Sequence, residues 1–586
     1  MKTMCVAAVA AAFLTIASTA LGADGPAIGF DKPVYVDTEL AGGEPLVFAD
    51  YKHGTIIYSS HEGTTHLYRP GFTAPLGDLN FAGNYRNQVN IWTSKDGGKT
   101  WQRTVFGQTG FATDPTKNTG FSDPDLTQDE GGRVYDTGID LANDAIFSSN
   151  DGGLTWDKGN VNCHDGDRPW LAGAKKDEAF MAADGNTSGH VIVRSADGGD
   201  SCETQEIPDN ADGRNGYGKL YYDHNTEQLM EPELYFDNDG NVKAIGLATW
   251  NRGDKEFTPH LISNTTLFGH FPSIAIDGAD NIYLTWDTNE RDPNVKTGCG
   301  GDPAPLPNKI LMAVSKDHGI TWSVRTIAAP ASARVLWPWA VAGDAGRVNV
   351  VWYQTDKVVD PDCAGDTTPP PKYSLMTAQI FDAAGDSPAV TVADAAGRPI
   401  SAGGVCQGGT TCVATGQDRR LGDYFTNAVD QRGCVIIASG DTMMKETGST
   451  QPPSWSAGNP ALAMAAPPRP PMSAWLDELG RPTYQVMRFQ QIAPISALRM
   501  RLGSTTDGSI SPLPMVLATA VPTTKAASTL NTAAQTTATP GESTRVETTV
   551  AIELALSWKP LMKSNTSATA TMARTYTTSC GMVTRA

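Results

Sequence analysis

Apolar and polar residues alternate in short runs between Glu44 and Thr442, and this pattern predicts many short β-strands. In each repeat, a strand that starts at a proline or an acidic residue reaches a turn of Gly, Asp or Asn. A second strand rich in Val, Ile, Tyr and Trp follows the turn. The pattern occurs in Glu44–Ser60, Ser122–Gly138, Asp167–Asp184, Met230–Trp250, Phe271–Thr288, Trp337–Asp356 and Leu421–Thr442. Seven hairpins are therefore expected.

A second motif, here called the box, recurs between these hairpins. It stands as SKDGGKTW, SNDGGLTW, SADGGDSC and SKDHGITW, starting at Ser94, Ser149, Ser195 and Ser315. Its aspartates, 96, 151, 197 and 317, are separated by 55, 46 and 120 residues. The last gap is a little over twice the others, which predicts that one repeat has lost its box.

The box has a structural logic. Its Asp carboxylate can accept backbone N–H bonds across a tight turn, and its Gly permits a positive φ. The Trp is expected to pack between neighbouring hairpins. We therefore predict that Asp96 and Asp151 are structural and not catalytic.

A hairpin followed by a box hairpin makes four antiparallel strands in roughly 50 residues, which is one blade of a β-propeller. The box resembles the Asp-box, or bacterial neuraminidase repeat, of sialidase-like propellers, and the resemblance extends from about Ile28 to Thr442. We predict an all-β, six- or seven-bladed β-propeller over residues 28–445. A β-sandwich would not explain the repeat period.

The N-terminus predicts export. Lys2 precedes an apolar run from Val6 to Ile16 and then small residues, which is typical of a signal peptide over residues 1–22. Cleavage after Ala20 or Ala23 is nearly as compatible as cleavage after Gly22. The apolar run is shorter than the ~20 residues of a membrane anchor. We expect a secreted, periplasmic or extracellular protein.

Composition narrows the partners. The net charge of −19 disfavours nucleic acid and anionic membranes, and no membrane span is predicted. Apart from Cys5 the chain has eight cysteines, an even number that predicts disulfides in an exported protein. We predict Cys163–Cys202 within one repeat and Cys299–Cys363 between neighbouring loop insertions. No CxxC or HExxH motif is present, so neither a metal nor a cofactor is expected, and we expect a monomer.

The composition changes near Gly448, and residues 446–586 form a Pro/Ser/Thr/Ala-rich tail. Such a segment is typical of disorder or of a linker. A surface stalk, a small unrecognised domain and a frame-shifted end are the three alternatives. The strand pattern of the blades ends after Asp441, which leaves the last blade without its outer strands. Ring closure would then depend on strands near Ile28–Val36 or on sequence outside this chain.

The resemblance implies an arginine triad that binds a sugar carboxylate, an Asp general acid and a Tyr nucleophile activated by Glu. Its local marker is Arg-Ile-Pro about 50 residues before the first box. This chain has Gly43, Glu44 and Pro45 there. The guanidinium is missing, and Glu44 would repel a carboxylated sugar.

Other residues at the predicted blade starts supply a candidate site. We predict catalytic roles for Tyr424, Asp423, Asp123 and Glu231, which could act as nucleophile, acid and base. We predict substrate binding by Arg168, Arg419, Arg420, Trp170 and Trp337. The alternative is that the charged groups form salt bridges or cap strands, and that the tryptophans are core residues.

Two functions stay open. One is a secreted exo-glycosidase of sialidase type with an atypical site. The other is a non-catalytic propeller that binds a glycan or glycoprotein at the cell surface. Lyases and other propeller hydrolases are further alternatives. Two arginines from Arg168, Arg419 and Arg420 around one axial pocket, with a Tyr–carboxylate pair, would favour the glycosidase.

Overall fold

The structure is a computed structural model. It describes residues 28–30, 33–37, 43–61, 89–104, 120, 122–139, 143–156, 158–164, 166–185, 189–205, 214–238, 241–267, 271–408, 412 and 417–443, with strands at 460–465, 546–557 and 569–580. The predicted signal peptide and most of the predicted tail lie outside these residues. The described part contains strands and two short 3-10 helices, Cys299–Gly301 and Pro361–Asp366.

The first three blades are built from consecutive strands. Two short strands precede them, β1 (Gly29–Phe30) and β2 (Val34–Tyr35). Blade 1 contains β3 (Leu46–Asp50), β4 (Thr55–Ser60), β5 (Asn90–Ser94) and β6 (Gln102–Thr104). Blade 2 contains β7 (Ser122–Gln128), β8 (Val134–Ile139), β9 (Asp144–Ser149) and β10 (Lys158–His164). Blade 3 contains β11 (Gly166–Gly173), β12 (Ala179–Gly185), β13 (Gly189–Ser195) and β14 (Glu203–Gln205).

Three more blades follow. Blade 4 contains β15 (Arg214–Gly216), β16 (Tyr221–Asp223), β17 (Gln228–Phe236), β18 (Val242–Asn251) and β19 (Thr258–Ser263). Blade 5 contains β20 (Ser273–Ile276) and β21 (Ile282–Asp287), then a loop ribbon of β22 (Arg291–Asp292) and β23 (Ala304–Pro305), then β24 (Ile310–Ser315) and β25 (Ser323–Ala328). Blade 6 contains β26 (Val335–Ala342), β27 (Val348–Thr355), β28 (Lys372–Phe381), β29 (Ala389–Asp394) and β30 (Ser401–Ala402).

A closing sheet completes the ring between blades 6 and 1. It contains β31 (Thr426–Val429), β32 (Val435–Ala438) and β33 (Pro460–Ala465), with β1 and β2 paired to β33. β31 packs against β26 on one side and β3 on the other. β1 and β2 lie within Ile28–Val36, one of the two sources of closing strands that the sequence left open, and β33 lies in the segment predicted as a tail. The propeller fold is confirmed.

The boxes form the turns between the third and fourth strands of blades 1, 2, 3 and 5. In blade 1, Asp96 accepts bonds from the backbone N–H groups of Lys99 (3.1 Å) and Thr100 (2.9 Å), and Gly98 has φ 84°. Blade 4 has no box, which accounts for the long gap in the sequence. A third strand ends on the face opposite to the one where the first strand begins. The boxes therefore lie on the far side of the ring from the blade starts.

One predicted blade start is wrong. Glu231 and Glu233 lie within β17, the second strand of blade 4, and the inner strand is the interrupted pair β15 and β16. The Glu231-Pro232 pair resembles the acidic residue and proline at which other blades begin. The true inner strand is interrupted by the loop between Gly216 and Tyr221, so it has no continuous apolar run. In the connection between β17 and β18, the Asp237 N–H donates to the Asn241 carbonyl at 2.9 Å.

Aromatic side chains fill the centre of the ring. Tyr424, beside the closing sheet, has ring contacts with Trp170 of blade 3 (5.7 Å between centroids) and Trp339 of blade 6 (6.4 Å). The Tyr424 hydroxyl also donates to the Pro124 carbonyl of blade 2 at 3.3 Å. All three rings are buried. Because Trp170 and Pro124 belong to blades 3 and 2, which are not neighbours of the closing sheet, the three side chains form a plug across the axis.

Three disulfides occur in the described residues: Cys163–Cys202, Cys299–Cys363 and Cys406–Cys412. Both predicted pairs are confirmed. Cys163 lies in β10, the fourth strand of blade 2, whereas Cys202 directly precedes β14, the fourth strand of blade 3. This bond therefore joins two blades, and its prediction within one repeat is wrong. Disulfides are typical of proteins from oxidising compartments.

The chain divides into two compact units, Met1–Gly503 and Ser504–Ala586. In the second, the structure describes an antiparallel pair, β34 (Val546–Ser557) and β35 (Thr569–Cys580). Across the described ranges, no helix has the length and apolar character needed to cross a bilayer.

Candidate functional site

The face of the ring where the first strands begin, here called the opening face, carries unusual backbone geometry. Glu44, Asp123, Arg168 and Trp337 have φ values of 52°, 52°, 68° and 57°, and each directly precedes a proline. A residue before proline normally adopts an extended conformation, and a positive φ is uncommon outside glycine. Such strain persists only where surrounding contacts hold it, and it often occurs at functional sites.

Ionisable side chains gather on this face in a connected group, here called the axial cluster. Its members are Glu44, His61, Asp123, Asp144, His164, Asp167, Arg168, Asp184, His190, Glu231, Arg419 and Asp423. Arg168 of blade 3 interacts electrostatically with Asp423 beside the closing sheet. Because blades 1 and 2 lie between these elements around the ring, an interaction between the two residues requires both side chains to be directed towards the axis.

Asp167 and Asp184 are the most accessible carboxylates measured in the cluster. They are direct cross-strand partners on β11 and β12. Arg168 lies between them, with Nε 3.3 Å from Asp167 Oδ2 and Nη1 3.8 Å from Asp184 Oδ2. The side chain of Asp167 is 46% exposed and that of Asp184 is 30% exposed, whereas Arg168 is 8% exposed. The solvent-exposed side of the axial cluster, at Asp167 and Asp184, is here called the mouth, and a ligand that enters it would meet these carboxylates first.

The two carboxylates have opposite protonation tendencies. Partial loss of hydration raises the pKa of Asp167 to about 8, although its side chain is 46% exposed; Arg168 opposes the shift, and the negative charges of Asp123, Asp184 and Asp144 add to it. Burial would also raise the pKa of Asp184, but the hydrogen bond and charge of His190 and the charge of Arg168 outweigh it, so that pKa is lowered. Two carboxyl groups whose pKa values are driven apart are the arrangement that acid–base catalysis requires.

His190 holds Asp184 in place. Its Nδ1 is 3.0 Å from Asp184 Oδ1, and its Nε2 is 2.7 Å from Glu231 Oε1. Burial would lower the pKa of His190, but Glu231 and Asp184 outweigh burial and raise it well above 6.5. The protonated ring therefore donates to both carboxylates. Gly216 makes this packing possible, since a Cβ there would lie 2.5 Å from Glu231 Oε2.

A second His–carboxylate group lies between blades 1 and 2. His61 Nε2 contacts Glu44 Oε2 closely, is 3.0 Å from Ser122 Oγ and is 3.7 Å from Asp123 Oδ1. One ligand atom from each of Glu44, His61 and Asp123 lies within 4.8 Å of the others. These are the residues that could hold a metal ion.

Arginines beside the closing sheet are already bound to carboxylates. Arg419 makes two hydrogen bonds of 2.7 Å to Asp423, and Arg420 binds Asp418 at 3.0 and 2.7 Å. Arg419 Nη2 also lies 3.8 Å from Glu44 Oε1. The guanidinium groups of both arginines are thus engaged within the protein.

The structure brings five of the predicted residues together in the axial cluster: Arg168, Arg419, Asp123, Asp423 and Glu231. Tyr424 and Trp170 belong to the buried plug, and Trp337 is buried against Tyr353 with ring centroids 5.7 Å apart. Arg420 pairs with Asp418. These tryptophan positions fit the core alternative.

Sequence reasoning missed Asp167, Asp184, His190 and His61 as site residues. A signal was present, because Asp167 and Asp184 are the first and last residues of the third predicted hairpin segment. The first and last residues of a hairpin are cross-strand neighbours at its open end, so these carboxylates are expected to lie together on the opening face. His61 follows a second strand, and His190 lies at the beginning of a third strand. Neither position is a predicted blade start.

No family model matches the chain, and no curated protein matches it. An α-L-arabinofuranosidase from Fusarium graminearum is 13% identical, with 75% of this chain and 98% of that chain covered and a TM-score of 0.35. NanB sialidase from Streptococcus pneumoniae is 10% identical, with 74% and 70% covered and a TM-score of 0.33. YCF48 from Cyanidioschyzon merolae is 16% identical, with 55% and 95% covered and a TM-score of 0.30. Similarity at this level supports no functional inference.

Proposed function

We propose that this protein is an exported glycoside hydrolase whose substrate binds in the mouth of the axial cluster. Asp167 acts as the general acid that protonates the leaving oxygen. Asp184 supplies the ionised carboxylate that faces the positive charge developing on the sugar ring, and a water molecule then bonds to the anomeric carbon and gives its proton to the Asp167 carboxylate. The observation that carries the proposal is the geometry of two accessible cross-strand carboxylates, Asp167 and Asp184, on either side of the Arg168 guanidinium. The opposite directions in which their pKa values are shifted support the two different roles.

The charges favour a neutral or cationic sugar over sialic acid. Asp167 and Asp184 offer more accessible surface than Arg168 or Arg419, whose side chains are each 8% exposed. The guanidinium group of Arg419 donates two hydrogen bonds to Asp423, and that of Arg420 donates two to Asp418. A sugar carboxylate would therefore meet negative charge, and none of Arg168, Arg419 and Arg420 offers it an open guanidinium.

The test is release of a chromophore from aryl glycosides of neutral sugars, amino sugars and sialic acid by the purified full chain. We expect release from a neutral or amino glycoside and none from the sialoside. Asp167→Asn should lower kcat by about 10²–10⁴-fold. The loss should be larger for substrates with poor leaving groups, because these depend most on the general acid.

Asp151→Asn is the matched control, because Asp151 lies in a box turn on the opposite face of the ring. This variant should keep the wild-type rate. Unchanged turnover in Asp167→Asn would contradict the proposal. Binding of a glycan with no release from any substrate would instead identify a non-catalytic glycan-binding propeller.

A further inference from the structure

We propose that Glu44, His61 and Asp123 bind one divalent transition-metal ion between blades 1 and 2. This site does not depend on the glycosidase proposal, because Asp167, Asp184 and Arg168 are not among its ligands. The three residues come from the starts of blades 1 and 2 and from the end of β4. Their position on the opening face makes the ion part of the axial cluster.

The separations suit metal coordination. Ligand atoms about 2.0–2.2 Å from a tetrahedral zinc ion lie about 3.3–3.6 Å apart. His61 Nε2 and Asp123 Oδ1 are 3.7 Å apart, close to this range. Glu44 Oε2 is nearer to His61, with which it forms a hydrogen bond. A bound ion would replace that bond after a small displacement of the Glu44 carboxylate.

Glu44 carries an independent indication of a missing ligand. Its side chain is fully buried, yet Oε1 accepts no hydrogen bond from the residues that the structure describes. The nearest cation, Arg419 Nη2, is 3.8 Å away and already makes a 2.7 Å bond to Asp423. A buried carboxylate oxygen without a partner has a substantial desolvation cost. Bidentate coordination, in which both Glu44 carboxylate oxygens bind the cation, would remove that cost.

The ligand types indicate the class of ion. One imidazole and two carboxylates, with no thiolate, suit Zn²⁺, Mn²⁺ or Fe²⁺. Ca²⁺ and Mg²⁺ prefer sites composed only of oxygen ligands. With neutral His61 the three ligands carry two negative charges when both carboxylates are ionised, which matches one divalent ion.

The experiment uses the full chain, stripped with a chelator and then equilibrated separately with Mn²⁺ and Zn²⁺. Elemental analysis should find one ion per chain for at least one of the two metals. Glu44→Gln and His61→Asn should each weaken binding by at least about 100-fold, since even residues outside the coordination shell affect affinity 10–100-fold. Each variant is first checked for native circular dichroism.

His53→Asn is the matched control. His53 also pairs with a carboxylate, with Nδ1 2.7 Å from Asp50 Oδ2, but it lies in the turn between β3 and β4, on the face of the ring opposite to the opening face. This variant should retain wild-type affinity. The proposal is overturned if the wild type binds neither ion at millimolar concentration, or if Glu44→Gln and His61→Asn bind as tightly as the wild type.

A spectroscopic measurement on the wild type covers the case in which the variants do not fold. Pulsed electron paramagnetic resonance of the Mn²⁺ complex should show coupling to one imidazole nitrogen. A complex without any nitrogen coupling would overturn the assignment of His61 as a ligand, and with it the proposed site.

Discussion

The proposed chemistry depends on Asp167, whose side chain is 46% exposed and whose pKa is raised to about 8. If it is the general acid, kcat/KM must fall as the pH rises through about 8, where Asp167 loses its proton. Asp167→Asn should abolish this alkaline limb, and Asp151→Asn should keep it. A pH–rate profile of each variant provides the measurement. An alkaline limb that persists in Asp167→Asn would assign the acid to another group.

The same residue makes a prediction for stability. Because partial loss of hydration raises the pKa of Asp167 above its ordinary value of 3.8, the native chain retains a proton that the unfolded chain releases. Native stability is therefore lost as the pH rises between about 4 and 8. Asp167→Asn should flatten this dependence in urea unfolding measured across that range. An equal slope in wild type and variant would contradict the raised pKa.

His190 offers a second test at the residue scale. Glu231 and Asp184 together raise its pKa, and Glu231 is the buried partner at 2.7 Å. Glu231→Gln removes one of the two negative charges and should lower the His190 pKa toward its ordinary value. Histidine titration by ¹H–¹⁵N NMR gives that pKa directly. A pKa that does not move would mean that Asp184 alone holds the imidazolium.

At the scale of elements, the repeat pattern was sufficient to predict six hairpins at their correct places, because each has a continuous apolar run bounded by turn residues. Blade 4 was misassigned, since its inner strand is split into β15 and β16 and Glu231-Pro232 resembles a blade start. The site was predicted in part. Arg168 and Asp423 stand beside recognisable starts, whereas His61 and His190 become neighbours only through pairing between distant segments.

The box turn is the element whose contribution can be measured most directly. Asp151 accepts hydrogen bonds from Ser149 Oγ, from the N–H groups of Leu154 and Thr155, and from Thr155 Oγ1. Asp151→Ala should lower the free energy of unfolding by about 1–3 kcal/mol. Activity per folded molecule should not change. Denaturant unfolding measures the first quantity. A fall in kcat of the folded variant would contradict a purely structural role.

Gly216 connects a strand to the site. A Cβ at this position would lie 2.5 Å from Glu231 Oε2 and 2.6 Å from His190 Nε2, so Gly216→Ala must displace the pair that holds Asp184. We expect kcat to fall while the blade remains folded. Gly29→Ala is the control, because a Cβ there meets no atom within 4 Å. Glycoside turnover and circular dichroism of both variants measure the effect. If Gly216→Ala kept the wild-type kcat, the His190–Glu231 pair would have no role in catalysis.

At the scale of the whole molecule, function depends on closure of the ring, because the axial cluster draws residues from blades 1 to 4 and from the chain beside the closing sheet. Closure uses the N-terminus: β1 and β2 pair with β33, and the Tyr35 hydroxyl donates to Asp441 Oδ2 at 2.8 Å, where Arg398 also binds. A chain that lacks residues 28–36 leaves the closing sheet without its fourth strand, an unpaired edge that also favours aggregation.

We expect this truncated chain to melt at a lower temperature than the wild type. It should also lose both glycoside turnover and metal binding, although no ligand or catalytic residue is removed. Tyr35→Phe removes only the hydrogen bond to Asp441 and should lower the free energy of unfolding by about 1 kcal/mol with both activities retained. Thermal unfolding, turnover and metal content are the measurements. A truncated chain with wild-type melting temperature and turnover would show that blades 1 to 6 hold the axial cluster together without the N-terminal strands.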